Sequence, residues 1–333
     1  MLSSKRGIVI RIQTTQCRGR LAAFAHLEFD EVAAAEFSTS TEPANMFKRA
    51  LVTLLLFAAT LAATAGSSVW KVSSDDSYIY IGGTCHLLRE SDFPLPKEFN
   101  RAYGDSQSVV FETDIGKMKD PSVQQMFMSK GALKGKTLDG VLSPKVYQEL
   151  SDQCAKSGIP LAALNGFKPS MVVLMISMAE LQKIGITQEG VDVWFYEKGK
   201  KDGKEIKQLE TIEEQVDFIF AMGEGNEDEF VSRSIKDLKD VKETMTKVLD
   251  AWKKGDRAAL AGEFVEEMKR DYPQLYKALL VDRNKKWLPK VEAYFKTEKR
   301  EFVLVGVGHL VGADGVLAAL EKKGYRVEQL DSK

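Results

Sequence analysis

This chain is short of several things. It has no surplus of positive charge: 47 Lys and Arg stand against 48 Asp and Glu, a net charge of -1. That is too little to hold a phosphate backbone, so nucleic acid is not an expected partner. Histidine is rarer still, with three in 333 residues, at His26, His86 and His309, and cysteine also numbers three, at Cys17, Cys85 and Cys154. The apolar run SMVVLMISMAEL (170–181) is too short to cross a bilayer and reads as a core helix. Its Met171, Met175 and Met178 recur at helical spacing and read as packing rather than as a soft-metal or haem stripe. A hydrophobic content of 44% is enough for a substantial core, in one large domain or two ordinary ones.

Two of the three histidines occupy matching positions. YIYIGGTCHLL (78–88) and FVLVGVGHLVG (302–312) are each a β-branched and aromatic run followed by glycines and a histidine. Each reads as a buried strand whose end delivers His86 or His309 into a loop, where function concentrates. The glycines of the second segment imitate a dinucleotide fingerprint only superficially. GVGHLVG puts a histidine and bulky residues where phosphate needs bare backbone.

The beginning of the chain reads as a targeting segment. Met46 to Arg49 is a charged start, Ala50 to Ala62 is apolar, and Ala63-Thr64-Ala65 is a small-x-small cleavage site, together a secretory signal peptide over 46–65. Residues 1–45 have no role in such a signal and read as an upstream extension from a misassigned start codon. The mature protein is then expected to begin at Gly66, exported to the periplasm or secreted, with no transmembrane segment. The alternative is a retained signal anchor, against which the short apolar run and the Ala-x-Ala both count. No cysteine sits at the cleavage point, so a lipoprotein anchor is not indicated. Cys85 and Cys154 remain in an oxidising compartment as a candidate disulfide pair. The rival reading of Cys85 as a nucleophile or ligand beside His86 is weak, because adjacent strand residues point to opposite faces.

Between the two histidines, Val109 to Phe111 reads as a strand ending in Glu112 and Asp114. Carboxylates at the end of a buried strand are costly unless paired or bound to a cation. They fall near His86 if the two strands are parallel neighbours. Helical spacing runs from Pro121 to Ile184, and Asp192 begins a further helix. Ile206 to Leu209 is a short strand delivering Glu210, and a charged helical stretch then runs from Thr211 to Leu280. Asp282-Arg283-Asn284 precedes the Trp287 helix. The C-terminal segment reads as strand, glycine turn, helix, a stop at Gly324 and a last strand from Tyr325 to Leu330, a β-α-β unit with parallel strands.

Two imidazoles and a carboxylate suffice to hold a divalent cation such as Mn²⁺, Co²⁺ or Zn²⁺ while leaving a position for water. His86 and His309 are the candidate ligands. Glu112 is either a third ligand or the base that takes the water's proton, and the sequence leaves both open. Asp192, Glu210 and Asp114 are candidate ligands or orienting partners. Arg283 could neutralise a substrate carboxylate or an oxyanion, and Asn284 could donate a hydrogen bond. Gly82, Gly83, Gly306 and Gly308 would let backbone approach the metal or substrate. Each has a plainer reading: Glu112 as a buried ion-pair partner of Arg283, Asp192 as a helix N-cap, Glu210 as a cap before LETIEEQ.

GGTCHLL and VGVGHLVGADGVLAALEKKGYRV, with VVFETD, GVDVWF, LETIEEQ and RNKKW between them in that order, resemble the TraB/GumN family, which includes the Tiki-type metalloproteases. The resemblance spans Val69 to Leu330. It implies an α/β fold of the ChaN/erythromycin-esterase-like kind, a sheet built from two strand-GxxH halves under a central helical cap, the cap being an insertion at about 120–290. It also implies a metal-dependent hydrolase, a peptidase acting on a peptide or protein, with His86, His309 and Glu112 as its essential residues. Two other classes stay open: a metal- or haem-binding envelope protein without turnover, and one of the same fold that sequesters a peptide.

Overall fold

The computed structural model describes residues 66–187 and 189–331. The expected extension and signal peptide, with Cys17 and His26, lie outside the described residues. In chain order the main elements are β1 (Gly66–Ser73), β2 (Tyr78–Thr84), α1 (Lys97–Asp105), β3 (Ser108–Phe111), α2 (Pro121–Gly131), α3 (Pro144–Lys156), α4 (Pro169–Lys183) and α5 (Val191–Lys201). There follow β4 (Glu205–Gln208), α6 (Ile212–Ala221), α7 (Glu227–Asp237), α8 (Val241–Lys254), α9 (Asp282–Tyr294), β5 (Glu301–Gly306), α10 (Val316–Lys322) and β6 (Arg326–Asp331). Two wide π-helical turns, Ala261–Glu266 and Lys277–Val281, lie between α8 and α9, the second running directly into α9.

The strands form one six-stranded sheet in the order β4-β3-β5-β2-β1-β6. β4, β3, β5 and β2 are mutually parallel, β1 is antiparallel to β2, and β6 is antiparallel to β1. The parallel strands are covered on both faces. This is why FVLVG and SVVF read as continuous apolar runs rather than alternating ones. The core around the sheet includes Trp70, Phe99, Phe195, Trp252, Trp287 and Phe302.

Two expectations change, and one strand is new. β3 is not the neighbour of β2, because β5 enters between them. The last strand is parallel to β5 but lies at the far edge, with β2 and β1 in between, so the C-terminal unit is not an adjacent pair. β1, whose GSSVWKVS sequence follows the apolar leader-like run, was not foreseen as a strand. β4, expected as a strand at Ile206 to Leu209, joins the sheet beside β3 and lies within the segment of about 120–290. Within it, Leu138, Leu150, Val172 and Val231 build one apolar cluster and Met171, Val216 and Phe220 another. Met171 is thus core, as its spacing suggested, and no helix among the described residues is long and apolar enough to cross a membrane.

Candidate metal-binding and catalytic site

The parallel arrangement sends the ends of four strands to one edge. β4 is followed by Glu210, β3 by Glu112, β5 by the tight turn Val307–His309, and β2 by His86. Ligand sites in parallel sheets form beyond such carboxyl ends. The two GxxH strands are adjacent and nearly in step, with Thr84 paired to Gly306 and Gly83 to Val305. Two segments whose paired residues are 222 positions apart in sequence therefore present their histidines side by side.

His309 is buried and held neutral. Asn284 donates through its amide nitrogen to the carbonyls of His309 at 3.1 Å and Asp314 at 3.0 Å. Its Oδ1 is thereby left as the acceptor for His309 Nδ1, at 2.7 Å, which assigns the proton to that nitrogen and a lone pair to Nε2. Burial pushes the imidazole down to about 3, and the Arg283 charge acts in the same direction. The ring lies on Trp287 at a centroid distance of 4.4 Å.

His86 is the exposed partner, its side chain 57% accessible. Asp192, in the first turn of α5, accepts the Nδ1 N–H hydrogen bond at 2.8 Å, and its charge raises the imidazole to about 9 against desolvation. The contact depends on a close approach: a Cβ on Gly190 would lie 2.1 Å from the His86 carbonyl oxygen.

Glu112 lies between them. Its Oε1 is 3.8 Å from His86 Nε2 and 3.9 Å from His309 Nε2, and it accepts the Gly306 N–H at 2.7 Å. Its Oε2 accepts from Arg283 Nη2 at 2.5 Å, with the Gln215 amide at 3.5 Å. Burial works to raise this carboxyl, but the surrounding His309, Arg283 and His86 hold it down to about 2. With His309 neutral, that positive charge comes from Arg283 and His86.

Arg283 links the two acids. It bonds Glu210 through Nη2 at 2.6 Å and Nε at 3.1 Å, and its Nη1 donates to His309 Nε2 at 2.9 Å and to the Leu279 carbonyl at 3.3 Å. Trp287 lies under the guanidinium at 4.5 Å and donates its indole N–H to Glu210 Oε2 at 3.2 Å. Burial raises the Glu210 carboxyl, opposed by Arg283.

The structure thus gathers His86, His309, Glu112, Asp192, Glu210, Arg283 and Asn284 into one network. Asp192 and Glu210 do not act as caps. α5 starts behind Gly190, and the capping box before α6 is Thr211 with Glu214. Asp114 lies apart from this network, paired with Lys117 at 3.4 Å. Of the four glycines expected at the site only Gly306 faces it, with a Cβ position 3.2 Å from Glu112 Oε1 and 3.3 Å from His86 Nε2. Gly82 and Gly83 make room for Phe302, Leu304 and Val307, and Gly308 for Phe264, so those three serve packing. Cys85 and Cys154 are free thiols in separate apolar clusters, which removes the candidate disulfide. Burial pushes both thiols up, Cys154 to about 11, so neither is a ready nucleophile. Sequence reasoning missed Gly190, Gln215 and the double role of Trp287; for Trp287 the nearby Arg283-Asn284 was the available signal. A cavity of about 580 Å³ between α6, α7 and residues 270–278 contains none of these groups.

Two imidazole nitrogens and a carboxylate oxygen are donor types that a divalent cation takes. Both imidazole Nε2 atoms stand near one carboxylate oxygen, and each ring is fixed through Nδ1 by an oxygen, the usual arrangement behind metal-bound histidine. The missing Cβ of Gly306 leaves space among the three donors. As the side chains stand, no group of three His, Cys, Asp or Glu among the described residues is drawn into a metal centre, and Arg283 holds the His309 lone pair.

Comparison with curated proteins and with solved structures gave no match in either case. The TraB/PrgY/gumN family model matches residues 68–329, a span that takes in both histidine-bearing strands and every residue of this network. The chain belongs to the TraB/PrgY/gumN family.

Proposed function

We propose that this protein is an exported, metal-dependent hydrolase of peptides, on a sheet of the ChaN/erythromycin-esterase-like kind. The observation that carries the reading is the convergence of His86 Nε2 and His309 Nε2 on the same Glu112 oxygen, at 3.8 and 3.9 Å. His86, His309 and Glu112 would hold the cation, which when bound supplies Lewis acidity and makes water a nucleophile near neutral pH.

The chain's own groups do the rest. Asp192 and Asn284 fix the two rings, so both Nε2 atoms face inward without further ordering. The Gly306 N–H fixes Glu112 Oε1 on that side. Substrate approaches across His86, because the His309 side chain is 5% accessible and His86 is open.

The test is hydrolysis of a peptide library by the full chain with Mn²⁺, Co²⁺ or Zn²⁺. Activity abolished by chelator and by His86→Ala and His309→Ala supports the reading; activity that survives them removes it. A second reading is favoured by one observation, the exposed His86 paired with Asp192 at 2.8 Å, which is the geometry of an acid-base dyad. That reading requires turnover that resists chelation and is lost in Asp192→Asn. Detection of a signal-processed form beginning at Gly66 tests export.

A further inference from the structure

The contacts of Arg283 fall into two sets that serve different ends. One set is a seat: the Glu210 carboxylate at 2.6 and 3.1 Å, the Trp287 ring at 4.5 Å below, and the indole N–H that fixes Glu210 at 3.2 Å. This seat is complete without His86, His309 or Glu112. The other set is directed at the ligands themselves: Nη2 on Glu112 Oε2 at 2.5 Å and Nη1 on His309 Nε2 at 2.9 Å. His309 Nε2 has one lone pair, which cannot serve an N–H donor and a cation together, and a guanidinium keeps its repelling charge at every accessible pH. Coordination through His309 Nε2 therefore requires Nη1 to leave that nitrogen.

Resting on the metal reading above, we propose that Arg283 is a positioning residue that pivots on the Glu210–Trp287 seat. In one position it bridges Glu112 and His309 and supplies the positive charge that Glu112 needs when buried. In the other it releases His309, stays paired with Glu210, and frees the ligand set. Arg283 thus competes with cation binding, and Glu210 weakens that competition by retaining the guanidinium in its withdrawn position. The two residues oppose each other in setting cation affinity, although they are bound together.

This opposition separates the proposal from a plain structural role. Titration calorimetry with Mn²⁺ on the full chain, beside melting curves with and without the ion, is expected to show Arg283→Met binding at least about tenfold more tightly than the unsubstituted protein. Its melting temperature without the ion should be lower, and the rise on adding Mn²⁺ larger. Glu210→Gln, which keeps the shape of the seat but loses its charge, is expected to bind about tenfold more weakly. If Arg283 only braces the ligands, both variants bind more weakly, and that result overturns the inference while leaving the metal site intact. If Arg283→Met does not fold, Arg283→Lys, which cannot span the seat and the ligands together, must bind Mn²⁺ more tightly for the inference to stand. Mn²⁺, Co²⁺ and Zn²⁺ binding absent from the unsubstituted protein, or unchanged in His86→Ala, overturns the metal reading and this inference with it.

Discussion

Gly306 offers a way to separate the site from the fold. Its backbone, at φ -49° and ψ 131°, is one that any residue adopts, so alanine brings no backbone strain. Replacing glycine at such a position reduces the freedom of the unfolded chain and is worth about 0.4 to 1 kcal/mol of added stability. The N–H bond to Glu112 survives the change. The new methyl carbon, however, would stand 3.2 Å from Glu112 Oε1, 3.3 Å from His86 Nε2 and 3.7 Å from His309 Cδ2, in the space among the three donors. His86 and Glu112 must each move by a few tenths of an ångström to accept it, and the donors can then no longer converge. Gly306→Ala is expected to melt within about 4 °C of the unsubstituted protein, the shift that about 1 kcal/mol produces in a domain of this size. It is also expected to lose about a hundredfold in Mn²⁺ affinity, or roughly 2.8 kcal/mol. Titration calorimetry and a melting curve on the same sample decide the matter. Retained affinity with a collapsed melting temperature would show that Gly306 serves packing, as Gly82, Gly83 and Gly308 do, and would refute the reasoning.

Asp192→Ala leaves His86 free to rotate and should cost about 10- to 100-fold in Mn²⁺ affinity, with little change in melting temperature. Trp252→Phe removes the buried indole bond to the Gly83 carbonyl, 2.7 Å long, behind the first GxxH. It should destabilise the protein by about 1 to 3 kcal/mol in urea unfolding; a loss below a few tenths would show that the bond is dispensable. Asp92 is buried among Arg89 and Lys253, whose hydrogen bonds outweigh burial and hold its carboxyl down to about 2. A carboxyl depressed on folding stabilises above its unfolded value and loses that contribution as pH falls through about 2. Asp92→Asn should therefore cost about 2 kcal/mol at pH 7 and almost nothing near pH 2, and equal losses at both pH values would count against this assignment.

The two GxxH strands, Glu112, Arg283 and Asn284 could be read from the sequence because each stands next to a strong local signal. A β-branched run ending in glycine and histidine, or a carboxylate closing an apolar strand, is unusual enough to be noticed singly. Strand order could not be read in this way. Nothing in the periodicity of FVLVG says that it enters between YIYIG and SVVF; that follows from which faces the long helical segment covers, a property of the whole chain. Asp192 and Glu210 were ambiguous for a related reason. An acid at the start of a helix satisfies local rules as a cap, and only the arrival of His86 or Arg283 from more than 70 residues away turns it to another use. The candidate disulfide failed on the same ground, since two thiols in one compartment need not lie in one apolar cluster.

The balance of charge at the edge explains why these residues occur together. Glu112 and Glu210 are both buried, and two such carboxylates near each other raise one another unless a cation intervenes. Arg283 is that cation in the folded chain, but it bonds both acids and one imidazole, so its bonds to Glu112 and His309 compete with any other positive charge at the same place. Glu210 follows β4, three strands away from the β2 that carries His86, is hydrogen-bonded to Arg283 and Trp287 rather than to either histidine, and still determines how firmly Arg283 is held. A substitution at Glu210 should therefore act on the ligand set only through Arg283. In the double variant Glu210→Gln with Arg283→Met, the Glu210 change should have almost no further effect on Mn²⁺ affinity, whereas alone it weakens binding. Equal effects of Glu210→Gln with and without Arg283 would mean that the acid acts on the ion through space, and that the guanidinium does not carry the coupling.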